Sequence, residues 1–155
     1  MTYKGHSLKE RMAGGAELFP VECKLDDRGF LYQIHGALKG YPQIKRVYAV
    51  GNYSKGTIRG LHKHKGEYKF YFAVTGSAKF VVESEERGTP VSFVLSPRRP
   101  GVLVVPPGLF HGWISLEENT VVVGMSNYTL SESEKDDIRK DPFAFGKEVW
   151  VTKPR

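Results

Sequence analysis

From Phe19 onward the chain breaks into ten short runs rich in β-branched and aromatic residues: FPVECKL, FLYQIH, RVYAV, TIRGLH, YKFYFAV, AKFVVES, VSFVL, GVLVV, HGWISL and TVVVGMS. Turn-forming clusters separate them, among them DDRG, ALKGYP, NYSKG, TGS, EERGTP, SPRRPG, PPG and LEEN. Glycine supplies positive φ, proline presets its own, and Asp, Asn and Ser fold their side chains back onto the backbone, so such clusters reverse the chain. No helical pattern of useful length interrupts the runs. Many short strands at near-regular spacing predict an antiparallel sandwich or barrel, not a parallel sheet.

The pattern changes at Ser131. SESEKDDIRK opens with Ser131 and, three residues on, Glu134, a capping box that predicts a short surface helix. DPFAFGKEVWVT then predicts a closing turn and an edge strand near Val149 to Thr152. Residues 1–18 are expected to form an N-terminal arm and 131–155 a helix and tail, within a single domain spanning 1–155. That length suffices for one proper core. Lys and Arg number 23 against 17 Asp and Glu, a net +6. The excess suits an anionic small molecule such as a phosphate ester. The basic residues are scattered singly with no RNA-binding motif, so no nucleic acid is expected. The one cysteine, Cys23, excludes an internal disulfide. No apolar run approaches membrane-spanning length and no signal-like start is evident, so a cytoplasmic protein without membrane contact is expected.

Chemistry concentrates between Gly56 and Gly76, GTIRGLHKHKGEYKFYFAVTG. His62 and His64 stand two apart, and residues i and i+2 share one face of a strand. Gly56, His62 and Gly76 fall at the intervals of the first cupin motif. GVLVVPPGLFH, residues 101–111, resembles the second, in which a P-x-G turn sets a histidine, here His111, pointing into the barrel. Ser115 stands where an asparagine is usual. The two motifs together imply an all-β antiparallel cupin, a double-stranded β-helix jelly roll with a short C-terminal helix. Lys69 occupies the position of the glutamate in metal-binding cupins. A divalent cation wants neutral imidazole and anionic oxygen, and an ammonium would repel it; no metal and no cofactor are expected. Strict alternation would set Lys69 on the face opposite His62 and His64. A turn at Lys65-Gly66 resets the phase.

Imidazole plus ammonium without a metal suits proton abstraction α to a carbonyl. Histidine titrates near neutrality and accepts the proton, and a buried ammonium meets the charge that collects on the enolate oxygen. Arg59-Gly60-Leu61-His62, Lys69 seven residues before Gly76, PPGLFHGW, MSNY and DDRGF at 26–30 resemble the dTDP-4-dehydrorhamnose 3,5-epimerase family of metal-free cupins. The resemblance implies that His62 is the base, Lys69 the enolate partner, Tyr128 the acid on the other face, and Arg59 a diphosphate ligand. It puts Arg28, Phe30 and Asn52 against the nucleotide, with Arg28 and Phe30 reaching a neighbouring subunit, and His111 against the substrate. It also implies a homodimer. The aspartate that these epimerases pair with their base has no counterpart that the motifs identify.

RGLHKHK is also similar to the dTDP-sugar 3,4-ketoisomerases, in which two histidines work together, here His62 and His64. Those enzymes commonly carry glutamine where Lys69 stands. The expected function is therefore metal-independent epimerisation of a nucleotide-linked 4-keto sugar at carbon 3, with carbon 5 open, in the making of a surface glycan. Ketoisomerisation is the alternative. A sugar-binding cupin without catalysis, or a metal-dependent one using His62, His64 and His111, are the other readings weighed.

Overall fold

A computed structural model of the chain describes residues 15–34, 38–84 and 89–153. The short runs become β1 (Glu17–Pro20), β2 (Cys23–Asp26), β3 (Gly29–Tyr32), β4 (Arg46–Asn52), β5 (Ile58–Lys63), β6 (Lys69–Thr75), β7 (Ala78–Val82) and β8 (Val91–Leu95). They continue as β9 (Gly101–Val105), β10 (His111–Ser115), β11 (Thr120–Ser126), the helix α1 (Leu130–Lys135) and β12 (Ile138–Arg139). One sheet runs β1-β9-β6-β11-β4 and the other β12-β5-β10-β7-β8, with β2–β3 a separate hairpin. All pairings are antiparallel. This is the expected jelly roll.

Alternation along the strands sorts their side chains into separate cores. Tyr71 and Ala73 of β6, Leu103 and Val105 of β9, and Phe80 and Val82 of β7 meet between the sheets with Trp113 and Val122. Their neighbours Phe70, Val102 and Val104 point outward, where Ile34, Leu38, Tyr41 and Ile44 cover them. Behind the second sheet Leu61, Val81, Phe110 and Trp150 form a third cluster. β9 is apolar throughout because both its faces are covered. Lys69 shares the inner face with Tyr71 and Ala73.

Three expectations shift. Glu17 and Leu18, expected in the arm, belong to β1, which pairs with β9; residues 1–14 lie outside the described residues. The helix starts two residues earlier than its predicted box. Thr129 is the N-cap, accepting from Glu132 N while the Glu132 carboxylate accepts from Thr129 N at 2.7 Å. The predicted edge strand near Val149 is instead a 3₁₀ turn over Lys147–Trp150. The reason is positional. β12 already pairs with the free edge of β5, and Trp150 is buried under the third cluster with its indole N–H donating to Pro142 O at 2.8 Å.

Candidate active site

A cavity of about 630 Å³ opens between the sheets. β5 and β10 form one wall. Their ladder pairs His62 with His111 but Arg59 with Trp113, a one-residue register shift. The shift lets Arg59 and His62, three apart, both line the cavity. Gly60 makes it possible: at φ +125°, a Cβ there would lie 2.6 Å from Gly112 Cα and 3.0 Å from His111 O. Only glycine tolerates that conformation and approach.

His111 is fully engaged. Nδ1 lies 3.0 Å from Leu109 O, a group that can only accept, so Nδ1 carries the proton. Nε2 then accepts from the Tyr71 hydroxyl at 3.0 Å. Burial, and then His62, push His111 well below its usual value and keep it neutral. The His62 ring sits 4.4 Å from that of His111 and 5.4 Å from that of His64. Burial first, then His64 and Lys69, lower His62 from 6.5 to about 4. A neutral imidazole therefore faces the cavity at pH 7, ready to accept a proton.

Lys69 enters from the opposite sheet, with 3% of the residue exposed. The chain turns between His64 and Lys69, and Asp136 clamps that turn by accepting from the backbone N–H groups of Lys65 and Gly66, each at 3.0 Å. The resulting change of phase brings the ammonium into the histidine cavity. Its Nζ lies 2.7 Å from Glu67 Oε1 and 5.4 Å from the centre of the Tyr48 ring.

Several residues of the site escape the motifs. Glu67 is buried, and Lys69, Arg46, Ser126 and Ser133 all donate to its carboxylate. Burial pushes Glu67 up, but the hydrogen bonds from Lys69 and Ser126 outweigh it and hold the group below the usual carboxylate range. Its signal was a lone acidic residue two before Lys69 in a basic stretch. Tyr48 also lines the cavity, from β4. Asp137 and Arg139 line the cavity beside β5, and Asp137 Oδ1 stands 4.0 Å from His64 Nε2.

Of the other sequence-predicted residues, Arg59 lines the cavity mouth. Its Nε donates to Asn52 Oδ1 at 2.6 Å and its Nη2 to Gly51 O at 3.0 Å. Asn52 is itself buried and also donates to Thr57 O; it orients Arg59 and is not among the lining residues. Tyr128 is not among them either. Its hydroxyl packs against Gly66, where an added Cβ would collide with it. Arg28 and Phe30 lie on the exposed β2–β3 hairpin, away from the histidines, where Arg28 pairs with Asp26 and Phe30 stacks on Tyr32. Among the described residues no group of three or more His, Cys, Asp or Glu is arranged to hold a metal ion. His62, His64, Lys69 and Arg59 do converge on one cavity.

Two facing sheets around inward histidines define a cupin. Residues 16–149 match the family described as "FdtA: WxcM-like, C-terminal", and the chain belongs to it. A curated relative, the spore coat polysaccharide biosynthesis protein SpsL of Bacillus subtilis, is 24% identical over 120 residues, which cover 72% of this chain and 78% of the relative. The fold superposes on the rmlC epimerase of Mycobacterium tuberculosis with a TM-score of 0.74 at 22% identity, covering 89% of this chain and 74% of that one. It also superposes on the QdtA 3,4-ketoisomerase of Thermoanaerobacterium thermosaccharolyticum in complex with TDP, with a TM-score of 0.69 at 25% identity, covering 87% and 94%.

Proposed function

We propose that this protein is an isomerase of a nucleotide-linked 4-keto sugar that epimerises carbon 3. The observation that carries this reading is the meeting in one cavity of a neutral imidazole, His62, and a buried ammonium, Lys69. His62 takes the proton from carbon 3, the C–H electron pair becomes the C3–C4 double bond, and the charge moves to the oxygen on carbon 4 beside Lys69. Reprotonation on the other face inverts the centre. Tyr48, on the sheet facing His62, is the group that returns the proton in this reading, in place of Tyr128. Arg59, held by Asn52, offers its planar fork to a diphosphate. The TDP held by the QdtA structure supports a nucleotide ligand, and the role of SpsL in spore coat polysaccharide synthesis supports a product destined for a glycan. The exposed Leu25, Phe30 and Leu31 of the hairpin support pairing with a second copy.

A second reading has its own support. His64 stands beside His62, and a pair of imidazoles on one wall suits transfer of the hydroxyl proton from the oxygen on carbon 3 to the oxygen on carbon 4 and return of the abstracted proton to carbon 4 on the same face, which moves the ketone to carbon 3. The test is incubation with TDP-4-keto-6-deoxyglucose, then with other nucleotide-linked 4-keto sugars, in deuterium oxide. Deuterium at an inverted carbon 3 is expected. Deuterium at carbon 4 with the ketone at carbon 3 selects the ketoisomerase, and no exchange with any of them removes both readings.

A further inference from the structure

The buried carboxylate beside the cavity belongs to no motif and yet touches two residues of the site, Lys69 and His64. Glu67 Oε1 accepts from Lys69 Nζ at 2.7 Å, from Arg46 Nη2 at 3.0 Å and from the Ser126 hydroxyl. Its Oε2 accepts from the Ser133 hydroxyl at 2.7 Å and lies 3.1 Å from His64 Nδ1. Those contacts join β4, β6, β11, α1 and the turn after β5. Glu67 is 1% exposed and is not among the cavity's lining residues, so it cannot meet substrate.

We infer that Glu67 is the positioning residue of this site, fixing the Lys69 ammonium against the cavity with one oxygen and setting the tautomer of His64 with the other. The inference rests on the reaction proposed above for its catalytic consequence and on geometry alone for the tautomer. A free lysine side chain samples many rotamers. A 2.7 Å ion pair to a carboxylate that is itself held by Arg46, Ser126 and Ser133 leaves the Lys69 ammonium one place to stand. The charges also balance in a useful way. Arg46 and Lys69 supply two positive charges and Glu67 removes one, so the cluster holds a single positive charge to meet one enolate.

His64 Nδ1 is buried with no hydrogen-bond partner, and the acceptor-only Glu67 Oε2 lies 3.1 Å from it. A lone pair on Nδ1 would repel that oxygen, so the proton belongs on Nδ1. That leaves the Nε2 lone pair on the side of the ring towards Asp137 Oδ1, 4.0 Å away beside the same cavity.

Two readouts test the inference. The first needs no substrate: long-range proton–nitrogen spectra of the histidine rings, with His64 assigned through His64→Asn. The Nδ1–H form is expected in the native protein, shifting towards Nε2–H in Glu67→Gln; an Nε2–H ring in the native protein overturns the inference. The second is solvent exchange with TDP-4-keto-6-deoxyglucose. Because a displacement of about 1 Å can cost on the order of a hundredfold in rate, Glu67→Gln should lose about that much kcat. KM and TDP affinity should stay near their native values, since Arg59 and Asn52 are held independently of Glu67. A merely structural role would instead lower stability and TDP binding together and leave kcat of the folded fraction intact, which also overturns the inference. If Glu67→Gln does not fold, Glu67→Asp keeps the charge but shortens the reach, and native turnover in that variant is equally fatal. Should the native protein exchange nothing, the proposed reaction fails while the histidine spectra still decide the role of Glu67.

Discussion

Across the β5–β10 ladder the His62 ring stands 4.4 Å from the His111 ring, and His111 is locked neutral between Tyr71 and Leu109. A protonated His62 would therefore sit against a buried ring with no acceptor to offer it, near the Lys69 ammonium. Burial, His64 and Lys69 accordingly lower His62 to about 4. Exchange should be level from neutrality down to pH 5.5 and fall by half near pH 4, where the base becomes protonated. A midpoint near the ordinary 6.5 would mean that His62 is solvated. Folding follows the same linkage. The unfolded chain binds the proton more readily, so the stability present above 6.5 is lost as the pH falls towards 4, and thermal melts across that window should show it.

Lys69→Ala should lower exchange by about a hundredfold to a thousandfold, the usual loss when one partner of a developing oxyanion is removed. Substrate affinity should change far less, because the diphosphate is proposed to rest on Arg59. The measurement is single-turnover exchange set beside a binding isotherm for the same sugar nucleotide. Equal losses in both would make Lys69 a binding residue.

How much of this was legible beforehand depends on the range of the interaction. The strands and the pairing of His62 with His64 follow from period-two alternation, which operates between adjacent residues. Lys69 needed the turn after His64, and the Lys65-Gly66 pair marked it. Glu67 could not be read the same way. Its partners Arg46, Ser126 and Ser133 lie 21, 59 and 66 residues away, and their convergence exists only once β4, β11 and α1 are assembled. The helix start was ambiguous for a local reason: TLSESE contains two overlapping capping boxes, and the fold uses the one at Thr129. The roles that resemblance implied for Tyr128 and Asn52 depend on side-chain direction. Tyr128 turns to Gly66, and Asn52 supports Arg59 from behind.

Asn52→Ala removes the oxygen that holds Arg59 Nε at 2.6 Å and the amide that donates to Thr57 O. Hydrogen bonds to charged groups are the stronger kind, so TDP affinity should weaken by about tenfold as the guanidinium loses its orientation. Loss of a buried polar group that is satisfied in the native state should also cost about 1–2 kcal/mol of stability. Isothermal titration and chemical denaturation measure the two effects separately. Unchanged TDP affinity in a destabilised protein would confine Asn52 to the fold.

The assignment of Tyr48 as the returning acid can be separated from the rest of the mechanism, because deprotonation and reprotonation leave different marks. Tyr48 stands on the sheet facing His62 and lines the cavity, with the Lys69 ammonium 5.4 Å and the Arg46 guanidinium 5.1 Å from its ring centre. Tyr48→Phe keeps the ring and removes the proton. His62 and Lys69 remain, so carbon 3 should still exchange with deuterium oxide, now with retention, while the inverted product falls by about a hundredfold or more, within the usual range for a lost general acid. Analysis of both products by NMR reads configuration and label at once. If Tyr128→Phe, and not Tyr48→Phe, separates exchange from inversion, the acid is Tyr128 and its side chain must leave Gly66 when substrate binds. If neither does, inversion uses a water in the cavity.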